Sequence, residues 1–265
     1  MNANTKFMLS DPIPSEVEKV EQPHWGMYRR IVEAVARPGT VVDFTSLRKG
    51  YFSAPTTPYR TAYNAIGIIH RAYEAEKRGY DGFLIGCASD PGLREARALV
   101  NIPVVAPLES ASLLASTLGN KFSIVLLEQG GCPLAESQIR SYGLRDKLAS
   151  VRYVPGVTVA TCFQAINEGE ENKVIDQIVV EIRKAVRDDS AEAAFVGCTI
   201  GSSLLTMQGI HQVENAPVID IIAAEIKMAE IMVDLRRAFG ITQCKATIYH
   251  PPPPGWEKEM PIPID

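Results

Sequence analysis

Residues 83–92 read FLIGCASDPG, and residues 195–203 read FVGCTIGSS. Each is a short apolar run that ends on Gly-Cys and then breaks into small, polar residues. An apolar run of that length, closed by such a break, fits a fully buried strand. A lone thiol at a strand end reads as packing, since cysteine is among the most buried residue types. Cys87 and Cys198 share one local context, and that repetition turns a packing detail into a question about chemistry.

The surroundings repeat as well. Pro103 opens NIPVVAPLESA 16 residues beyond Cys87, and Pro217 opens PVIDIIAAE 19 residues beyond Cys198. Each copy reads as strand, Gly-Cys, turn, helix, Pro-Val strand and then a helix carrying Glu109 or Glu225. Two copies of one supersecondary unit predict two similar α/β halves related by a pseudo-twofold axis.

Other strand-length runs start at Val41, Phe122 and Val151. Helical periodicity covers 59–78, 92–100, 109–118, 134–149, 170–186 and 221–239. Asp90 followed by Pro91 reads as the N-cap and first turn of the 92–100 helix. Alternating strands and helices predict an α/β protein of two Rossmann-like, mostly parallel halves with a cleft between them. The expected division is 1–108 with 221–249 for the first half and 109–220 for the second. Residues 250–265, HPPPPGWEKEMPIPID, are too rich in proline for a helix. They read as a solvated tail, or as an arm anchored on a neighbouring subunit by Trp256.

With 265 residues, 46% of them hydrophobic and 22% charged, the chain can bury a large core. A net charge of −4 leaves no basic excess for phosphates, so a nucleic-acid partner is not expected. No apolar run is long enough for a membrane span or a secretory signal, which makes the cytoplasm the expected compartment. The five cysteines and four histidines are scattered, without CxxC pairs or helical ligand spacing, so neither a disulfide framework nor a metal site is expected.

In open α/β sheets ligands bind beyond the carboxyl ends of the strands, where Cys87 and Cys198 fall. If each precedes a helix start, free N–H groups and the helix dipole favour its thiolate. Across a cleft, one thiol can remove a proton from carbon while the other delivers one to the opposite face, inverting a stereocentre without a cofactor. The backbone donors of Ala88, Ser89, Thr199 and Ile200 would then stabilise the enolate. Cys132, Cys162 and Cys244 lack this context and read as structural. A small-molecule binding protein is the non-enzymatic alternative.

From about Asp81 to Leu235 the chain resembles the aspartate/glutamate/hydantoin racemase superfamily, and within it the hydantoin racemase branch. DGFLIGCASDPGLREAR is similar to that branch's first cysteine motif, and AAFVGCTIGSS with APVIDIIAAEIKMAE to its second. The resemblance implies two Rossmann-like halves, Cys87 and Cys198 as acid and base, a small-molecule substrate, no cofactor and frequent homo-oligomers. It implies substrate contacts from Ser10 and Asp11 in FMLSDPIP, from Glu128 and Gln129 at the end of the central strand, and from Thr199. Ile200 stands where the amino-acid racemases carry histidine. Cis-trans isomerases of unsaturated diacids and decarboxylases share the scaffold, and retention of both thiols argues against a decarboxylase. The tract 50–64, GYFSAPTTPYRTAYN, reads as a connection with tyrosines on the core, or as a loop over the cleft.

Overall fold

The computed structural model describes residues 4–14, 23–51, 56–259 and 262. Nine strands and nine α-helices follow one another among these residues. The first sheet holds β1 (Thr5–Pro14), β2 (Thr40–Leu47), β3 (Gly82–Ile85) and β4 (Val104–Val105) in the order β2-β1-β3-β4, all parallel. The second holds β5 (Phe122–Leu126), β6 (Leu148–Tyr153), β7 (Ala193–Val196), β8 (Gln212–Val213) and β9 (Ala216–Ile219) in the order β6-β5-β7-β9-β8. Only the short edge strand β8 runs antiparallel. Apart from β8, the two sheets have the same strand order, as the repeat predicts.

Helices α1 (Pro23–Val35), α2 (Pro58–Lys77), α3 (Leu93–Leu99) and α4 (Pro107–Leu118) connect or flank the first sheet. The second is served by α5 (Cys132–Ser141), α6 (Val159–Glu168), α7 (Glu171–Asp189) and α8 (Thr199–Met207), while α9 (Ile221–Phe239) crosses back to pack on β3 and β4 of the first sheet and α4 packs on β5, β7 and β9. Every residue of β3, β5 and β7 is buried, as parallel strands covered on both faces require. One apolar cluster spans both sheets, joining Phe7 and Leu9 of β1 to Tyr28 and Ile31 of α1, Val125 of β5 and Ile222 and Ile226 of α9. A second cluster lies beneath α2 and α3, and a third beneath α4 and α5.

Local signals account for the helix starts. Thr57 Oγ1 accepts the Arg60 N–H at 3.2 Å ahead of Pro58, and Asp220 Oδ1 accepts the Ala223 N–H at 2.8 Å. Thr158 and Thr161 form a reciprocal capping pair on α6.

Three expectations need correction. The 134–149 helix stops at Ser141, because Gly143 turns the chain at φ +77° and β6 begins at Leu148. Asp90 does not cap α3, whose N-cap is Gly92 without a side-chain bond. Asp90 instead accepts the Leu108 and Glu109 N–H groups at 3.0 and 2.9 Å, capping α4, and takes the Tyr142 hydroxyl at 2.7 Å. The carboxyl-terminal segment is mostly exposed over 250–259, and the chain ahead of it is tied to α3. Lys245 Nζ donates to the carbonyls of Arg97, Ala98 and Val100 at the end of α3, and Trp256 packs edge-on against Tyr73 at 5.5 Å. Lastly, Tyr51, Tyr59 and Tyr63 form an exposed edge-and-tilt ladder, so these tyrosines neither fill the core nor line the cleft. Residues 52–55 of that tract lie outside the described residues.

No helix among the described residues is long and apolar enough to cross a membrane.

Candidate active site

The two Gly-Cys pairs are built alike. A Cβ on Gly86 would lie 2.8 Å from Leu9 Cδ2 and 3.1 Å from Asp11 Cβ, so the chain after β3 can press against β1 only as glycine. A Cβ on Gly197 would collide with Leu126 of β5 and come within 3.1 Å of Ile124 Cγ2. In each half the strand that bears the thiol therefore leaves its sheet close against the central strand. Gly86 N–H donates to Ser10 O and Gly197 N–H to Val125 O, each at 2.8 Å, extending the two ladders by one bond.

Beyond these glycines, Cys87 and Cys198 line a single cleft with Asp11, Tyr28, Thr56, Arg60, Ala88, Ser89, Glu128, Thr199 and Ile200. Leu126, Leu127, Leu134, Ala135, Ile13 and Val159 supply its apolar wall. Both thiols are free and half-buried.

Cys198 is the N-cap of α8 but makes no side-chain capping hydrogen bond; the Gly201 and Ile200 amides favour its thiolate. Burial nevertheless outweighs them and pushes the Cys198 thiol up to about 11, with the charges of Cys87 and Glu128 acting in the same direction. Cys87 departs from expectation because no helix starts after it: α3 begins at Leu93. Its donors come from a tight turn in which Ser89 Oγ lies 3.2 Å from the sulfur and the Ser89 backbone also bonds it. Burial pushes the Cys87 thiol up too, opposed by Ser89 and by the Arg60 guanidinium. The thiolates favoured by the simple helix-dipole reading are thus disfavoured in the ligand-free cleft, where desolvation is the largest effect.

The other residues singled out from sequence divide. Ala88, Ser89, Thr199, Ile200, Asp11 and Glu128 reach the cleft wall. Ser10 does not: its carbonyl belongs to the β1–β3 ladder and its hydroxyl is buried. Gln129 is exposed in a 3-10 turn away from the wall. Asp11 is engaged by α1, with His24 Nε2 and Trp25 Nε1 each 3.2 Å from Oδ2 and the Ile13 N–H 3.1 Å from Oδ1. Glu128 does not stand open as a solvated loop carboxylate. Its Oε2 accepts the Thr56 N–H at 2.6 Å and lies 4.0 Å from Arg60, so it joins the second half to the chain leaving β2.

Two wall residues escaped the sequence reading. Tyr28, buried on α1, pairs with the Thr199 side chain, and burial holds its phenol protonated. The apolar spacing of Trp25, Tyr28, Ile31 and Val32 would have revealed that helix. Arg60 sits in the first turn of α2, announced by Thr57-Pro58; with Thr56 it brings the 50–64 tract to the cleft, as one of that tract's two readings had it, but the sequence did not single out Arg60 within the tract.

A family model described as Asp/Glu/Hydantoin racemase matches residues 26–229. A hydantoin racemase of Pseudomonas sp. (strain NS671) is 31% identical over 204 residues, which are 77% of this chain and 78% of that protein. Among solved structures, allantoin racemase from Pseudomonas fluorescens is similar with a TM-score of 0.80 at 25% identity, covering 94% of this chain and 98% of that one. Allantoin racemase from Klebsiella pneumoniae has the same fold, with a TM-score of 0.80 at 24% identity and 94% of both chains covered. The chain belongs to the Asp/Glu/hydantoin racemase family and is an isomerase of the racemase class.

Proposed function

We propose that this enzyme racemises a carbon acid held in a small cyclic ureide, of the 5-substituted hydantoin class, with Cys87 and Cys198 as its two acid–base groups. The observation that carries the reading is the pair of matched Gly-Cys strand ends, whose thiols line one cleft from opposite halves. The substrate class is supported by relatives that are a hydantoin racemase and an allantoin racemase.

In such a ring the carbon that carries the substituent lies next to a carbonyl, so removing its proton moves charge onto the carbonyl oxygen as an enolate. One thiolate takes this proton from one face. The thiol opposite returns its own proton to the other face, leaving the inverted ring and the two sulfurs with exchanged protonation. The Ala88 and Ser89 backbone on one side, and the Thr199 and Ile200 backbone at the start of α8 on the other, offer N–H dipoles toward the developing charge. The protonated Tyr28 phenol adds a donor between the halves. Closing a substrate over the thiols removes water from the site, which strengthens each of these dipoles.

The test is polarimetric racemisation of both enantiomers of a panel of 5-substituted hydantoins, run beside amino acids and unsaturated diacids. Racemisation of the ring substrates, lost by a factor of about 10³ or more in Cys87→Ser and in Cys198→Ser, is the expected result. Isomerisation of a diacid instead would replace this reading with nucleophilic addition by one thiol.

A further inference from the structure

The two copies of the repeat cap their crossing helices differently. β4 pairs with β3 through Val104 and Phe83 and through Val105 and Leu84, and β9 pairs with β7 through Val218 and Ala194 and through Ile219 and Phe195. Ala106 and Asp220 therefore stand at the same place, one residue beyond each short strand. Asp220 caps its own helix, its Oδ1 accepting the Ala223 N–H at 2.8 Å. Ala106 has no side chain for this, and the first turn of α4 bonds instead to Asp90, which accepts the Leu108 and Glu109 N–H groups at 3.0 and 2.9 Å. The capping carboxyl has moved from the helix to the turn that carries Cys87.

That turn has no helix directly behind it. Cys198 opens α8, whereas α3 begins only at Leu93. Asp90 N–H closes a tight turn on the Cys87 carbonyl at 3.0 Å, and Ser89 Oγ lies 3.2 Å from the Cys87 sulfur. Asp90 holds φ at +41°, a left-handed conformation that persists in a residue other than glycine only where its surroundings fix it. Helix α5 of the other half supplies those surroundings. The Tyr142 hydroxyl donates to Asp90 Oδ2 at 2.7 Å, Gln138 Nε2 donates to the Ser89 carbonyl, and Arg94 Nη2 donates to the Ser141 carbonyl at 3.1 Å. The same helix gives the cleft Leu134, Ala135 and Gln138.

We propose that Asp90 is a positioning residue for racemisation: its buried carboxyl, clamped between the first turn of α4 and Tyr142 of the second half, fixes the turn that presents Cys87 to the substrate. The inference rests on the two-thiol reading and adds to it how one of the two thiols is aimed. Two backbone N–H groups and a phenol converge on this one side chain, so its loss leaves three donors without their acceptor at a single point. A reacting atom displaced by about 1 Å can lose roughly 10²-fold in rate.

The experiment follows each enantiomer of a 5-substituted hydantoin, with hydrogen or deuterium at its stereocentre, in the full-length enzyme and in Asp90→Asn and Tyr142→Phe. Asparagine keeps the shape and tolerates positive φ, but it turns an amide toward donors that need an acceptor. The expected result is a kcat lower by about tenfold or more in Asp90→Asn and by roughly threefold in Tyr142→Phe, with KM within about threefold of wild type. Both changes open one clamp, so the double variant should be no more than about twofold slower than Asp90→Asn. Slowing the Cys87 step alone moves the deuterium effects on kcat/KM in opposite directions. The effect rises for the enantiomer that gives its proton to Cys87. It falls toward unity for the mirror image, whose proton has already gone to Cys198 before the slow delivery from Cys87. Loosening of the whole cleft would move both effects alike. A second readout needs no substrate: in Asp90→Asn the rate of iodoacetamide labelling, resolved by peptide mass spectrometry, should change by about threefold or more at Cys87 and stay as in wild type at Cys198.

Unchanged kcat in both variants, isotope effects that move together, or unchanged labelling of Cys87 would overturn the proposal. Racemisation that survives Cys87→Ser or Cys198→Ser would remove the two-thiol reading itself.

Discussion

Glu225, in the second turn of α9, accepts the Ile85 N–H at 2.9 Å, the last strand amide before Gly86 and Cys87. Its carboxyl is fully buried, its Oε2 has no partner, and burial pushes it well above the usual carboxyl range. The helix that closes the second copy of the repeat thus holds the strand end of the first, through a neutral acid.

Replacing that acid by its neutral isostere keeps the acceptor and removes the titration. A raised native carboxyl binds more protons than the unfolded chain, so it stabilises at acid pH and loses that contribution as pH rises from about 4.3 through its native value. Denaturant unfolding of Glu225→Gln should therefore gain on the wild type as pH rises across this window. Glu225→Ala, which also lacks the titration but orphans the Ile85 N–H and leaves a cavity, should be about 2–4 kcal/mol less stable than Glu225→Gln at every pH.

Gly197 should tolerate no side chain. In Gly197→Ala the added methyl meets Leu126, and overpacking of this kind costs about 1–3 kcal/mol. Because the strain is relieved by moving the chain that bears Cys198, the variant should keep most of its melting temperature and lose at least tenfold in kcat. Full activity would mean that the close approach to β5 has no part in placing the thiol.

The rate should follow the ionisation of the pair. Burial raises Cys87 and pushes Cys198 up to about 11, so the singly ionised pair is a minor species at neutral pH. We expect log kcat/KM to rise with unit slope from about pH 6 until the first apparent ionisation of the pair, and the same profile for both enantiomers. A profile already flat at pH 6, measured by circular dichroism on either enantiomer, would contradict this.

The proline-rich end should contribute to stability within its own chain. Trp256 lies edge-on to Tyr73, whose hydroxyl reaches Glu257 at 3.4 Å. Trp256→Ala should cost about 1–2 kcal/mol in thermal unfolding while leaving the mass measured by light scattering unchanged. A change of mass without a change of stability would instead favour an arm on a neighbouring subunit.

What was legible in the sequence was what is written locally. The Gly-Cys strand ends, the Pro-Val strands and the long amphipathic helices, α9 above all, stand where their patterns predict. β1 forms the centre of the first sheet yet was not among the strand-like runs read from the pattern, because TKFMLSDPIP mixes charge, proline and apolar residues without a clean period. Asp90-Pro91 has the local signature of a cap, but the helix that Asp90 caps begins at Pro107, and only the tertiary fold brings Leu108 and Glu109 to it. The same holds for Glu128, whose partners Thr56 and Arg60 are about 70 residues earlier in the chain. Gly-Cys spacing revealed the thiols; it carried no information about the charges that face them.

The most direct test of the two-thiol account is racemisation of one pure enantiomer of a 5-substituted hydantoin in D2O, stopped after a few per cent of conversion. If Cys87 and Cys198 act from opposite faces, the inverted product carries deuterium at its stereocentre while the recovered starting enantiomer keeps its hydrogen. Product that retains hydrogen, or starting material that exchanges without inverting, would mean that a single base serves both faces and would contradict the account.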